Sequence, residues 1–232
     1  YQASQALRFH MPGHKGVSLL GCEALDITEV PGADALYEAE GIIAESEQNA
    51  TALFGFGKTL YSTEGSSQCI KAMLFLARLQ ARLRGNFSSQ ILAARNAHKA
   101  FIHGCALLDL QPVWLWPDTA SESLCSCPVS PKLVAERLEK MDFPPMAVYL
   151  TSPDYLGGVQ DVAGIAAVCR QAGIPLLVDN AHGAYLRFLT PSQHPLSLGA
   201  SFSSDSAHKT LPVLTGGAYL QLSDDVPATV VA

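Results

Sequence analysis

From Glu38 onward, short apolar runs alternate with segments of helical periodicity, and this order limits the folds open to the chain more than any other feature. "KTLYST", "QILAAR", "PVWLW", "PMAVYLTS", "IPLLVD", "SFSSDS" and "GGAYLQL" read as strands. "EAEGIIAESEQNATALFG", "SQCIKAMLFLARLQARL", "HKAFIHGCALL", "SPKLVAERLEKM" and "DVAGIAAVCRQAG" read as helices. Strand–helix–strand order requires crossover connections, which make the strands parallel and lay helices over the sheet. The strands lack clean polar–apolar alternation, as strands buried on both faces do. The expectation is a three-layer α/β/α domain around a mostly parallel sheet. Residues 1–37 would form an arm or loop ahead of it.

Composition narrows the partners. Hydrophobic residues make up 48% and charged residues 16%. That balance suits a sheet covered on both faces, a large oligomer interface, or both. The net charge is −6 and no basic stripe appears, which argues against nucleic acid. No apolar run reaches the ~18 residues of a membrane span. "YQASQALRFHMPGHKG" has no apolar signal core, and it opens on Tyr1 rather than Met, so the natural N-terminus is expected upstream. The cysteines, Cys22, Cys69, Cys105, Cys125, Cys127 and Cys169, are scattered and mostly in apolar surroundings. They suit a reducing cytoplasm.

Two motifs are set aside. "GFGKT", Gly55 to Thr59, resembles a phosphate loop, but Ala52 stands where the pattern needs glycine and the segment leads into a strand. His10 and His14 lie four apart, yet Pro12 and Gly13 between them oppose a helix. Cys125 and Cys127 form C-x-C, not the C-x-x-C of a zinc site, so no metal is expected.

In open α/β sheets ligands sit at the C-terminal ends of the strands, and four such ends carry chemistry. After "KTLYS" come Thr63, Glu64, Gly65, Ser66 and Ser67 at a helix start, which is either a serine cap or a phosphate site. After "QILAAR" come Asn96 and His98; a histidine there alone is a cap or core residue as readily as a catalyst. After "IPLLV" come Asp179, Asn180, Ala181 and His182. A carboxylate ending a buried strand needs a cation or strong hydrogen bonds. After "SFSSD" come Ser206, Ala207, His208 and Lys209. A lysine in a strand-end cleft can form a Schiff base when its amine is partly deprotonated. Together these are the parts of a pyridoxal 5'-phosphate site.

The sequence resembles the Orn/Lys/Arg decarboxylase family in its major domain, through "FHMPGHKG", "TEGSS", "RNAHKAFIHG", "TSPDYLGG", "VDNAHGAY" and "SAHKTLPVLTGGAYL". The resemblance implies the large domain of a pyridoxal-phosphate enzyme of fold type I. It implies that Lys209 carries the cofactor, Asp179 pairs with its pyridine nitrogen and His98 stacks on its ring. Gly65, Ser66 and Ser67, with Ser206 and His208, would bind its phosphate. His182 would lie beside the ring. It further implies decarboxylation of ornithine, lysine or arginine in a homodimer or higher homo-oligomer, with "FHMPGHKG" reaching the subunit boundary. Asn180 and Asp154 depart from the residues the family often carries, glutamate and threonine. The resemblance also leads one to expect further chain beyond Ala232, completing the large domain and adding a C-terminal one. From the residues alone, transamination, aldol cleavage and a non-catalytic partner of an intact enzyme stay open.

Overall fold

The computed structural model describes residues 7–28, 30, 32–117 and 123–231. Of the expected arm, residues 1–6, Glu29 and Pro31 lie outside these. The chain divides into two compact units, residues 1–50 and 51–232, so the division falls inside the first helix, α1 (Ile42–Phe54).

The first unit is built from turns. The Glu23 carboxylate accepts the backbone N–H groups of Leu19 (2.7 Å), Leu20 (2.5 Å) and Gly21 (2.9 Å). Asp34 does the same for Ala35, Glu40, Gly41 and Ile43, closing a loop onto the start of α1. His14 accepts the Gly16 N–H on Nδ1 and places Nε2 3.1 Å from Asp26.

The second unit holds one seven-stranded sheet. Its strands are β1 (Lys58–Ser62), β2 (Gln90–Ala94), β3 (Gln111–Leu115), β4 (Ala147–Thr151), β5 (Leu176–Asp179), β6 (Phe202–Asp205) and β7 (Ala218–Leu222). Their order across the sheet is β1-β7-β6-β5-β4-β2-β3. β3, β2, β4, β5 and β6 run parallel, while β7 is antiparallel to both β6 and β1. The sheet is therefore mostly parallel, as the element order requires, with "GGAYLQL" its one reversed strand.

Side chains alternate between the faces, and each face has its own core. On one face Ile91, Ala93, Tyr149, Leu177 and Phe202 pack under α2 (Ser66–Leu83) and α3 (Lys99–Leu107). On the other, Leu92, Ala94, Leu150 and Val178 pack under α4 (Pro131–Glu139) and α5 (Val162–Gln171). This is the expected three-layer arrangement. The helices start where their caps dictate: Ser130 Oγ accepts the Leu133 N–H at 3.1 Å ahead of Pro131, and Asp161 accepts that of Gly164 at 2.9 Å. α2 and α3 approach closely because residue 104 is glycine; a Cβ there would meet the Leu74 side chain at 2.6 Å. Three short pieces have no periodic signal in the sequence, the 3₁₀ turn Ala184–Phe188, α6 (Ala207–Thr210) and α7 (Ala228–Val231). Of these, α6 carries Lys209.

Candidate active site

The strands that run parallel direct their C-terminal ends to one side, and a cleft of about 300 Å³ opens there. Asp179, His182, His98, Ser66 and Lys209 line it, with Arg95, Asn96, Thr151, Cys125 and Tyr155. Five side chains singled out in the sequence, from four chain segments, thus meet at one place.

Asp179 ends β5 and is only 2% exposed. Its Oδ2 accepts the Tyr149 hydroxyl at 3.3 Å and its Oδ1 the Ala181 N–H at 3.2 Å. Both bonds are long. Burial pushes the carboxyl up to about 6, against the pull of the Ala181 N–H and the Lys209 charge. A buried acid with weak partners facing a cleft is a group that a bound cation would complete.

Lys209 is exposed on α6, with Nζ 3.1 Å from His182 Nε2. Burial, then the Lys209 charge, holds the His182 imidazole below its ordinary value. A neutral His182 ring can accept the lysine's hydrogen, which gives Lys209 a place to hold or release a proton. The edge of the Tyr155 ring meets His182 at 5.9 Å between centroids.

His98 is both the helix cap and a wall of the cleft. Its Nδ1 accepts the Ala100 N–H at 3.2 Å, so the hydrogen of the neutral ring lies on Nε2. Burial, then the charges of Lys209, Lys99 and His103, lowers its proton affinity. The cap fixes the ring's orientation and its surroundings keep it neutral.

Gly65 precedes α2 with φ +71° and ψ −178°, a conformation open essentially to glycine alone. A Cβ at this position would meet nothing within 4 Å, so the backbone angle, not crowding, demands glycine. Its N–H donates to Gly216 O at 2.8 Å. No side chain caps α2, and of its first-turn N–H groups that of Gln68 donates to Gly65 O at 3.2 Å. Ser206 Oγ meets Ser66 Oγ at 2.8 Å, tying the start of α2 to the end of β6. Of the expected phosphate ligands, Ser66 lines the cleft and Gly65, Ser67, Ser206 and His208 do not. Ser67 is half-buried in the first turn of α2. His208 turns its Nδ1 to the Gly216 N–H at 3.2 Å.

The cleft fits pyridoxal phosphate on its own terms. It offers an amine, a buried acid, a flat neutral imidazole and a helix start with convergent hydroxyls. Asn96 Oδ1, on the cleft wall, is buried without a hydrogen-bond partner. Asn96 Nδ2 is spent on Cys125 O at 3.3 Å.

The residue reading missed Tyr149, Asp205 and His194. The signal for Tyr149 was present: it stands two residues before the end of β4, on the face and beside the strand that carry Asp179. The two departures from the family pattern are both structural. Asp154 is buried and binds its own turn, accepting the N–H groups of Leu156 (2.9 Å) and Gly158 (2.8 Å). Asn180 donates through Nδ2 to Asp205 at 2.8 Å.

Comparison with known proteins bears on the family and the fold. The chain is 33% identical over 228 residues to the uncharacterized protein YaaO of Bacillus subtilis, covering 93% of this chain and 45% of that one. It is 29% identical over 234 residues to an arginine decarboxylase of Halalkalibacterium halodurans, covering 94% and 45%. It thus spans less than half the length of these relatives. Among solved structures, the lysine decarboxylase of Francisella novicida superposes with TM-score 0.74 at 19% identity, covering 99% of this chain and 35% of that one. The constitutive lysine decarboxylase of E. coli gives 0.69 at 20% identity, covering 98% and 35%. At such identities the likeness is one of fold. The profile of the Orn/Lys/Arg decarboxylase major domain matches residues 1–231, and the chain belongs to that family.

Proposed function

We propose that this chain is the cofactor-binding part of a pyridoxal-phosphate enzyme that decarboxylates ornithine, lysine or arginine to the amine. The observation that carries the reading is the meeting of Lys209, Asp179, His98 and Ser66 around one cleft. When bound, the cofactor supplies a protonated pyridine ring that draws electrons from a bond at the substrate Cα. The protein's residues do the rest. Lys209 offers the amine for attachment, and His182, 3.1 Å away, takes up or returns its proton. Asp179, poorly solvated and weakly bonded, holds a proton on the ring nitrogen. His98 presents a neutral face for stacking. Gly65, Ser66, Ser67 and Ser206 bind the phosphate at the start of α2.

The basic substrate comes from the family and from relatives such as the arginine decarboxylase; the net charge of −6 favours a cation at long range. The same resemblance supports a cytoplasmic homodimer or higher homo-oligomer. Exposed Leu7, Phe9, Met11, Leu19, Leu20 and Tyr37 suit burial at a subunit boundary. Among the described residues no helix is long and apolar enough to cross a membrane.

The test is a side-by-side assay of this chain and a version extended to the length of its relatives, each with pyridoxal phosphate and the three amino acids. The reading expects a visible cofactor band in both and amine release from the extended form. Keto-acid product would favour transamination instead. A cofactor band with no reaction of any kind in either form would favour a non-catalytic partner.

A further inference from the structure

Asp205 ends β6 and is fully buried. Period-two alternation along β6 puts it opposite Phe202, on the sheet face away from Asp179. Three donors converge on it: Ser203 Oγ at 2.7 Å and Asn180 Nδ2 at 2.8 Å on Oδ1, and His194 Nε2 at 2.9 Å on Oδ2. The tautomer of His194 is set by its other nitrogen, because Nδ1 accepts the Leu196 N–H at 3.2 Å and leaves Nε2 to donate. Donors on every side suit a charged carboxylate. The surroundings are dry: His194 is fully buried, with its ring 4.8 Å from Phe56 and 6.2 Å from Phe54.

A buried charge is costly to keep when an apolar filling would serve packing as well. Its connections suggest what it does. Asn180, which it holds, follows Asp179; Ser206, which follows it, bonds Ser66 at the start of α2. The same carboxylate therefore ties the residue after Asp179 to the strand that leads into Ser206, from behind the sheet.

We propose that Asp205 is a positioning residue for the ring-nitrogen end of the cofactor site: its charge, acting across the sheet, makes Asp179 hold a proton on that nitrogen more tightly, and its bonds fix the spacing of Asp179 from Ser206. The inference rests on the role given to Asp179 above. Two like charges in a poorly polarisable interior oppose each other, and a shared proton or a neighbouring cation relieves both. Burial and the Asp205 charge both favour the protonated form of Asp179, while the Ala181 N–H, the Lys209 charge and the Tyr149 hydroxyl oppose it. The other titratable groups toward this acid are Cys69 on α2, Arg95 and the cleft histidines His98 and His182, with the Asp154 carboxylate acting on His182. Asp205 is the carboxylate that acts on Asp179 itself.

The test compares wild type with Asp205→Asn and with Asp205→Gln, so that a neutral variant that folds is in hand. Carboxyl ¹³C NMR follows Asp179 in the cofactor-free protein. ¹⁵N NMR of ring-labelled pyridoxal phosphate follows the nitrogen in the loaded protein. The proposal expects both groups to lose their protons at lower pH in the neutral variants, the two curves shifting in the same direction. A purely structural support would leave both titrations where they are, and unchanged curves overturn the proposal. A wild-type protein that takes up no cofactor on Lys209 would defeat the reading of the site; the Asp179 carboxyl curves would then still decide the role of Asp205.

Discussion

The ends of β5 and β6 lie side by side and each finishes on a buried aspartate, yet the two are treated in opposite ways. Asp205 faces a dry aromatic pocket and receives three short hydrogen bonds. Asp179 faces a cleft and receives two long ones, from Tyr149 and Ala181. One carboxylate is completed by the fold. The other is left for something that binds. The difference teaches where to look for function in such a sheet: at the polar group whose burial the protein itself does not compensate.

Three substitutions test this contrast, and the stability effects should differ in sign. Asp205→Ala removes the acceptor of three buried donors and should cost about 3–5 kcal/mol in urea unfolding. A loss under 1 kcal/mol would mean that the network is not worth what its geometry implies.

Asp179→Asn should do the reverse in the cofactor-free protein. The Asp179 carboxyl is pushed from 3.8 up to about 6 by folding, so the native state binds the proton more tightly than the unfolded chain. Its contribution is therefore favourable at low pH and is lost as pH rises from about 4 through about 6. At pH 8 the asparagine variant should be more stable than wild type, by up to about 3 kcal/mol for two pH units. The gain should shrink toward zero near pH 4, while cofactor affinity falls. A variant destabilised at pH 8 would break the comparison.

Ser206→Ala should have the smallest effect. It removes one hydrogen bond to Ser66, worth about 0.5–1.5 kcal/mol, and leaves the Asp205 network in place. Pyridoxal phosphate should bind more weakly while the unfolding transition moves little. Unchanged cofactor affinity would take Ser206 out of the phosphate site.

Much of this was legible in the sequence because it rests on local signals. The strand and helix patterns gave the layers, and residues just after strands gave the cleft lining. Even the two roles of His98, cap and cleft wall, follow from its position at a helix start beside a strand end. Long-range arrangements were not legible. Nothing local says that β7 inserts antiparallel between β1 and β6, because that depends on where the chain returns to the sheet. The Asp205 network joins residues from three segments, and His194 lies in a stretch with no periodicity at all. Ser67 and His208 neighbour residues of the cleft along the chain, and motif proximity alone does not say where their side chains go; the His208 ring takes the Gly216 N–H on its Nδ1.

The central claim is that the uncompensated end of the sheet holds pyridoxal phosphate on Lys209, and the most direct measurement is chemical. The protein is incubated with pyridoxal phosphate, reduced with borohydride, digested and mapped by mass spectrometry. The account predicts one stable pyridoxyl label, on the peptide containing Lys209, absent from Lys209→Ala. A label on another lysine in the folded wild-type protein, or no label at all, would contradict it.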